Sequence, residues 1–336
     1  MPRQSRLDFP GALHHVMARG IEKRNIFIDE ADFSGFLERL GKTLIETNTK
    51  CYAWTLMNNH FHLLLRSGES TITKVMRRLL TGYAIYFNKR HKRSGHLFQN
   101  RYKSILCDEE QYLIQLIRYI HLNPIRGNLV KTMNGLNKFK YSGHSVLMGN
   151  NENDWQDRDT ILSRFGSDPK KAKASYLMFV TEGVKDKRRD DLSGGGILRT
   201  AGGWKGLADL KRNKESVMGD ERILGDSEFV ERSLLTANQQ DKEITLLNRK
   251  VCSLNDLVKN ACEFFKIDID RLKSKSKTSE LRKARSMICY IASQKLSISG
   301  SDIGRNMDLS RSAVSKLIKG FCDDKAFKDF CERNLM

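Results

Sequence analysis

The chain has 336 residues, with 59 Lys and Arg against 40 Asp and Glu and a formal net charge of +19 at pH 7. This length favours more than one domain. The excess of basic residues indicates a polyanionic partner, because lysine and arginine neutralise phosphates and release counterions. The seven cysteines are scattered and include no Cys-x-x-Cys pair, which argues against a disulfide framework or a cysteine zinc site. No apolar run is long enough to cross a bilayer, so we expect a cytoplasmic protein without a membrane partner.

The first 130 residues mix strand and helix patterns. Alternation of apolar and polar residues predicts strands, and apolar residues three or four apart predict helices. The predicted elements, in chain order, are a strand at 12–19, an extended piece at 25–28, a helix at 29–48 with Asp29 as N-cap, strands at 50–56 and 60–66 around Asn58-Asn59, a helix at 71–90, a strand at 101–107 and a helix over 110–124 whose length Pro124 limits. This order predicts an α+β fold with a small antiparallel sheet backed by helices.

Two histidines occur at alternate positions of one predicted strand. His60 and His62 therefore share one face of the strand, and Phe61 points to the other. Two imidazoles on one face form half of a site for a divalent metal. The alternative is a half-buried strand whose histidines are satisfied by hydrogen bonds.

The helix at 110–124 carries a second set of polar residues. Tyr119 and Asn123 are four residues apart and lie on one helix face. Tyr112 lies seven residues before Tyr119, on nearly the same face, and is the second candidate for a reactive tyrosine. His121 is rotated off that face, which favours a structural role. The alternative for Tyr119 is a core aromatic of an amphipathic helix.

Together these motifs give a specific resemblance over roughly residues 1 to 130. His60-Phe61-His62, followed by Tyr119-Ile120-His121-Leu122-Asn123-Pro124, resembles the single-tyrosine HUH transposases and above all their REP-associated branch. Gly11 to Val16, Arg19-Gly20 and Arg24 to Phe27 resemble the first strand and turn of that family. The resemblance implies an HUH, ferredoxin-like sheet that carries both histidines, with the tyrosine helix packed beside it. It implies Tyr119 as the nucleophile that forms a 5′-phosphotyrosine, and Mg²⁺ or Mn²⁺ held by His60, His62 and Asn123.

A basic stretch at 91–103 precedes the tyrosine helix. It mixes glycine, aromatic and basic residues, as do loops that follow a phosphate backbone and stack on bases. We therefore predict that Arg93, Arg101 and Lys103 bind single-stranded hairpin DNA. The alternative is a solvated charge run.

The signal weakens from residue 131 to about 250. Glycines at 193–196 and 202–204 and the charge run at 185–191 predict mobile segments within a helical connector. Neither glycine stretch ends in Gly-Lys-Ser/Thr, so neither fits a P-loop. Residues 131–250 are accordingly predicted to join two domains.

Residues 251–336 are predicted to form an all-α helix-turn-helix domain. Helices are expected at 254–265, 280–296, 301–307 and 310–319, and the segment resembles the DNA-binding domain of the replication initiator DnaA. It departs from that family where Ser310 to Ser315 replace Asp-His-Thr-Thr-Val, so the DNA sequence it binds need not carry over. The alternative is a helical interaction module that does not bind DNA. The candidate contacts to duplex DNA are Lys273, Lys275, Arg305, Arg311, Ser312 and Lys316.

The leading hypothesis is a metal-dependent transposase that cuts and rejoins single-stranded DNA near hairpins. The first alternative is a domesticated DNA-binding protein or regulator whose HUH site is no longer used. A third is an RNA-binding module, although no RNA recognition motif is present. The sequence leaves open whether the protein is a homodimer, and DNA as partner predicts association with the nucleoid.

Overall fold

The computed structural model describes residues 6–68, 70–186, 192, 219–250, 253–274, 276, 278–296, 298–321 and 325–334. The chain divides into two compact units, Met1–Leu235 and Thr236–Met336. We describe each unit by itself. Within the described residues, no helix is both long enough and apolar enough to span a membrane.

The first unit is built on a five-stranded sheet in the order β2-β3-β1-β4-β5. The elements are β1 (Leu13–Arg19), α1 (Glu30–Glu46), β2 (Lys50–Met57), β3 (His60–Arg66), α2 (Ile72–Arg90), β4 (Lys103–Cys107), α3 (Glu109–Arg126), α4 (Met133–Lys138), α5 (Gly143–Leu147), α6 (Arg158–Leu162), α7 (Pro169–Glu182) and β5 (Ile223–Leu224). Strands β1 to β4 pair antiparallel. The predicted α+β class is confirmed, with one correction: the sheet is mixed, because β5 pairs parallel to β4.

Short side chains begin the main helices where the sequence predicts them. The Asp29 carboxylate accepts a hydrogen bond from the Asp32 amide at the start of α1, and the Asp32 carboxylate accepts from the Ile28 amide. The first bond satisfies an amide that the first turn of a helix leaves without a partner, and the second holds the residue just before the cap. Asp108 caps α3 in the same way. Helix α3 ends at Arg126, shortly after the Pro124 that was predicted to limit its length.

The two faces of the sheet pack against different helices. One face buries Phe61, Leu63 and Leu65 of β3 against α1 and α2. The other face packs against α3, and its core also takes in side chains from α4 to α7. The shared core on this second face includes Leu64, Ile105, Leu116, Ile120, Leu136, Leu147, Ile161 and Tyr176.

The helices that follow residue 130 belong to the first unit. Leu136, Ile161 and Val180 are fully buried in the core that also holds α3. The predicted domain boundary at residue 130 therefore lies inside this unit, and the three-domain division stays a prediction. The glycine segments at 193–196 and 202–204 lie outside the described residues, as does the charge run beyond residue 186.

A long helix, α8 (Ser227–Lys250), follows β5, and the second unit is helical as predicted. Its core includes Leu257, Ala261, Leu281, Ile288, Ile303 and Val314. The long helix predicted at 280–296 is an α-helix over Ser279–Tyr290 and continues as a π turn over Ile291–Lys295. The helices are α9 (Leu254–Phe265), α10 (Ile269–Lys273), α11 (Ser279–Tyr290), α12 (Gly300–Met307), α13 (Arg311–Lys319) and α14 (Lys325–Asn334).

Candidate active site

Strand β3 places two histidines on the face of the sheet that packs against α3. In the antiparallel register, His60 lies opposite Arg19 of β1 and His62 lies opposite Met17. Phe61 lies between them in sequence and is buried on the other face, among the α1 and α2 side chains. The alternation predicted from the sequence therefore holds in the structure. The two imidazole centroids are 5.2 Å apart.

Helix α3 brings Tyr119 to these histidines. Its apolar residues Leu116, Ile117 and Ile120 are buried in the core on this face, which fixes the helix against the sheet. The Tyr119 ring centroid lies 6.0 Å from that of His62. Tyr119 is only 4% exposed, and the Arg126 guanidinium lies 5.7 Å from the centre of its ring.

Hydrogen bonds fix the ring orientation of both histidines. The Asn59 amide nitrogen donates to the Lys23 carbonyl, so Asn59 Oδ1 is the acceptor that His60 Nδ1 meets at 2.6 Å. His60 therefore carries its proton on Nδ1 and its lone pair on Nε2. His62 Nδ1 lies 3.0 Å from Nε2 of His15, a buried histidine of β1.

Pro124 helps to orient the Asn123 side chain. A proline has no amide hydrogen, so Pro124 cannot donate to the Ile120 carbonyl as a normal helical residue would. The Asn123 side-chain nitrogen lies 3.4 Å from that carbonyl oxygen and 2.9 Å from the Tyr119 carbonyl oxygen, and donates to both. With its nitrogen held on the helix, Asn123 presents its amide oxygen as the group able to bind a cation.

One open cavity of about 340 Å³ is lined by His60, His62, Tyr119 and Asn123. Basic residues contribute to its wall: Arg19 from the end of β1, Arg101, and Lys103 from the start of β4. Backbone pairing holds the 97–103 segment beside β1, because the Gln99 amide donates to the Arg19 carbonyl at 2.9 Å. The full lining is Met17, Ala18, Arg19, His60, His62, Gln99, Asn100, Arg101, Lys103, Tyr119 and Asn123.

A separate set of basic residues lies in the second unit. Ser310 caps α13 by accepting from the Ala313 amide at 3.2 Å. Arg311, Ser312 and Lys316 on this helix are all exposed, as a helix that enters a DNA groove requires. Arg305 on α12 is also exposed and donates to Asp302.

A buried arginine, Arg285, stabilises the turn between α10 and α11 by hydrogen bonds. Arg285 is 7% exposed and donates to the carbonyls of Leu272 at 2.7 Å, Ser276 at 2.6 Å and Ser274. Burial lowers the pKa of this guanidinium. Lys273 in this basic turn is half-buried, and Lys275 lies outside the described residues.

Two family models match separate parts of the chain. Residues 10–123 match the family described as transposase IS200 like. Residues 254–320 match the family described as the bacterial dnaA protein helix-turn-helix. The chain joins an IS200-like transposase domain to a DnaA-like helix-turn-helix domain. The resemblance predicted from the sequence is therefore confirmed in both parts, and both families imply DNA as the partner.

Solved structures add a weaker likeness. The structure of a REP-associated tyrosine transposase bound to a REP hairpin has 13% identity, covers 47% of this chain and 98% of that chain, and has a TM-score of 0.38. A transposase candidate from Deinococcus radiodurans R1 has 16% identity, covers 34% of this chain and 92% of that chain, and has a TM-score of 0.25. These scores are too low for either likeness to support a conclusion here. No curated protein sequence matches the chain significantly.

Within the transposase domain, most predicted site residues meet. Tyr119, His60, His62, Asn123, Arg101 and Lys103 all line the cavity, and Arg93 does not. Arg93 lies with its guanidinium 5.6 Å from the Phe87 ring centre. Tyr112 does not line the cavity either, and packs against the core at the α3 side of the sheet.

His121 lies in a different buried cluster. Its Nδ1 is 2.8 Å from the Tyr176 hydroxyl, which is also 2.7 Å from His144 Nδ1. Burial lowers the pKa of His121 well below its ordinary value, and the nearby His144 adds to this effect. The cluster ties the tyrosine helix to α5 and α7.

Arg19, Gln99 and Asn100 also line the cavity, although the sequence alone does not single them out as site residues. A signal for Arg19 exists, because Arg19 and His15, which contacts His62, are four residues apart on β1 and share a strand face. That pattern becomes informative only once β1 is paired beside β3.

The donor chemistry of the transposase site fits a divalent cation. Among the residues that the structure describes, no group of three or more His, Cys, Asp or Glu side chains is arranged to hold a metal. The set here differs in kind, with two imidazoles and one amide oxygen. His60 offers a lone pair on Nε2, and Asn123 offers its oxygen. Nitrogen and oxygen ligands of this kind suit a divalent ion such as Mg²⁺ or Mn²⁺.

Proposed function

We propose that this protein cuts and rejoins single-stranded DNA at hairpin-associated sites through a 5′-phosphotyrosine on Tyr119. The observation that supports the proposal best is the meeting of Tyr119, His60, His62 and Asn123 in one cavity. A nucleophile, nitrogen and oxygen ligands and basic residues are the groups that phosphodiester cleavage needs.

Tyr119 would act as the nucleophile. Its phenol oxygen loses its proton and forms a bond to phosphorus, the bond from phosphorus to the 3′ oxygen breaks, and the 3′ oxygen takes up a proton and leaves as a hydroxyl. The reverse attack by a 3′-hydroxyl restores the DNA and frees the tyrosine. Because the covalent bond retains the energy of the phosphodiester, rejoining needs no nucleotide, in accord with the missing P-loop.

His60, His62 and Asn123 would hold Mg²⁺ or Mn²⁺ beside the tyrosine. A divalent ion bound there polarises a phosphate and orients it for in-line attack. His60 meets this role with its proton on Nδ1, because Asn59 accepts it. Asn123 meets it with its nitrogen engaged on the Tyr119 and Ile120 carbonyls.

The basic wall of the cavity would bind the DNA backbone. Arg19, Arg101 and Lys103 lie along it, and each positive charge neutralises phosphate and releases counterions. Arg126 adds a positive charge near the Tyr119 ring, which favours negative charge on the phenol oxygen during attack.

The second unit would bind duplex DNA next to the cut site. Its match to a DnaA-type helix-turn-helix and the exposed Arg305, Arg311, Ser312 and Lys316 support this role. A tethered duplex-binding domain raises the effective concentration of the transposase domain near its target. Nucleoid association, a cytoplasmic location and homodimer formation stay predictions.

The direct test is incubation of the full chain with labelled single-stranded hairpin DNA and Mg²⁺ or Mn²⁺, followed by a denaturing gel. We expect a covalent protein–DNA adduct that does not form when EDTA is present from the start to remove the divalent ion. Tight hairpin binding with no cleavage and no adduct would instead support the alternative of a domesticated regulator.

The role of the second unit has its own test. Deletion from Leu254 onward should weaken binding to duplex flanks and leave cleavage of a short single-stranded hairpin mostly intact. Arg311→Ala in the full chain is the smaller change and should weaken duplex binding alone. If the truncated chain binds duplex DNA as tightly as the full chain, the helix-turn-helix is not the duplex-binding element.

A further inference from the structure

One buried histidine of the transposase domain stands directly behind His62. His15 lies on β1, on the sheet face that carries His60 and His62, and is 0% exposed. Its Nε2 is 3.0 Å from His62 Nδ1, and the two rings stack with centroids 5.2 Å apart. On its other side, its Nδ1 is 3.2 Å from the Leu192 carbonyl oxygen.

The order of donors and acceptors in this chain assigns the protons. A carbonyl oxygen only accepts, so His15 Nδ1 carries a hydrogen and donates it to Leu192. A neutral imidazole with its hydrogen on Nδ1 has its lone pair on Nε2. His62 Nδ1 must then be the donor to His15, which leaves the His62 lone pair on Nε2. The alternative proton arrangement would need a charged His15 at a fully buried position, which is costly.

We infer that His15, held by the Leu192 carbonyl, is a positioning residue that fixes the ring and the tautomer of His62 for a divalent ion. This inference rests on the proposed function, because it concerns the same metal site. A histidine that binds a metal through one ring nitrogen usually donates the N–H of the other to an acceptor. This hydrogen bond orients the ring and increases the basicity of the metal-binding nitrogen. Asn59 does this for His60, and His15 does it for His62.

The residue that holds His15, Leu192, comes from a later part of the chain. It lies beyond the residues that match the IS200-like family, 10–123. Its side chain is 2% exposed and belongs to the core that packs α3 against the sheet. A residue from the later part of the first unit therefore completes the support of a ligand in the transposase domain.

Two substitutions at residue 15 separate hydrogen bonding from packing. His15→Phe keeps an aromatic ring and removes the acceptor for His62 Nδ1. His15→Gln retains a side-chain oxygen able to accept the same hydrogen bond. His14→Phe is the matched control, because His14 is also buried but contacts Ser104 from the other sheet face. Circular dichroism and the free energy of unfolding show that each variant is folded.

The first readout is Mn²⁺ affinity by calorimetry on the full chain without DNA. We expect His15→Phe to weaken Mn²⁺ binding by about 10-fold to 100-fold, the usual effect of losing such a partner. His15→Gln should stay within about 5-fold of the wild type, and His14→Phe should match the wild type. Unchanged affinity in His15→Phe, or equal losses in all three variants, would overturn the inference.

The second readout is the tautomer of His62, from long-range nitrogen–proton NMR spectra of the metal-free protein. We expect the hydrogen on Nδ1 in the wild type and loss of that preference in His15→Phe. A wild-type His62 with its hydrogen on Nε2 would contradict the inference.

These results separate the inference from the proposed function. If the wild type binds Mn²⁺ and forms the DNA adduct while His15→Phe binds Mn²⁺ equally well, only the inference fails. If His15→Phe weakens Mn²⁺ binding but the wild type forms no adduct, the inference holds and the proposed function fails. If the wild type binds no Mn²⁺ at all, both fail.

Discussion

Strand β3 presents different kinds of side chain to the two faces of the transposase sheet. Toward α1 and α2, β3 contributes Phe61, Leu63 and Leu65, all fully buried among apolar side chains. Toward α3, the same strand contributes His60 and His62, which meet hydrogen-bonding partners and line a cavity. The first face is apolar along the strand, and its burial stabilises the fold. The second face combines the buried Leu64 with two polar side chains held in fixed orientations.

The difference shows what a polar face requires. An apolar side chain is stabilised by burial alone, at about 25 cal/mol per Å² of apolar surface. A buried imidazole without a partner would cost free energy, so each site histidine is matched by an acceptor, Asn59 for His60 and His15 for His62. We therefore expect substitutions of the site histidines to reduce activity, and substitutions of the apolar β3 residues on the opposite face to reduce stability.

The largest effect is expected on the site face. His62→Ala or His60→Ala should abolish cleavage, a loss of roughly 100-fold or more, because a ligand near the reacting phosphate is removed. Hairpin binding without metal should be largely retained, since basic residues supply most of that affinity. Cleavage rates and hairpin affinity of each variant are compared with the wild type. Wild-type cleavage in His60→Ala would remove that histidine from the mechanism.

Substitutions on the opposite face should change the free energy of unfolding. Phe61→Ala removes a fully buried ring and should lower the free energy of unfolding by about 3 to 5 kcal/mol. Ile85→Ala, at a position on α2 that is 65% exposed, is the control and should change it by less than about 0.5 kcal/mol. Urea unfolding measures both. If Phe61→Ala left stability unchanged while reducing cleavage, the division between the faces would be wrong.

Acid should destabilise the α3 side through its buried histidines. Burial lowers the pKa of His144 to about 4, against about 6.5 in the unfolded chain. The unfolded state therefore binds the proton first, and stability is lost as the pH falls from about 6.5 to about 4, by about 1.4 kcal/mol per pH unit for this group. His121, whose pKa is also lowered, adds to the slope in the same direction.

Urea unfolding at pH 7 and pH 5 tests this expectation. His144→Gln should reduce the dependence of the unfolding free energy on pH by the contribution of one proton. An unfolding free energy that rises between pH 7 and pH 5 would show that these histidines are charged in the folded protein.

The smallest effect concerns the orientation of Asn123. Pro124→Ala restores an amide that competes for the Ile120 carbonyl, the weaker of the two acceptors of the Asn123 side chain. We expect cleavage to need a several-fold higher Mn²⁺ concentration for half its maximal rate, on the order of 3-fold, since a single hydrogen bond contributes about 1 kcal/mol. An unchanged Mn²⁺ requirement would show that the Tyr119 carbonyl alone is sufficient to hold the amide.

Local patterns predicted much of the fold and the centre of the site. Alternation in β3 assigns His60, Phe61 and His62 to their faces, and helical spacing puts Tyr119 and Asn123 together, because each depends only on neighbours along the chain. Asp29 caps its helix, as predicted, for the same local reason. These features do not depend on how distant segments pack.

Features that depend on distant pairing could not be predicted. His15 reaches His62 only through the β1–β3 register, and Leu192 reaches His15 from far along the chain. Strand β5 has two residues, too few to show a period. Arg93 and Arg101 belong to the same basic stretch. Only the later part of the stretch pairs with β1, through Gln99, and lines the cavity.

The central claim is that Tyr119 is the nucleophile of a DNA strand-transfer reaction. Tyr119→Phe removes only the phenolic oxygen, so the fold should be nearly unchanged. Tyr112→Phe is the matched control, one heptad earlier on α3 and outside the cavity.

The decisive measurement is the amount of covalent adduct with labelled hairpin DNA on a denaturing gel. The account predicts that Tyr119→Phe forms no adduct and cuts no strand, while it still binds metal and hairpin, and that Tyr112→Phe behaves as the wild type. An adduct in Tyr119→Phe but not in Tyr112→Phe would move the reaction to the other tyrosine. Normal cleavage by both variants and by the double variant would contradict the account at its centre.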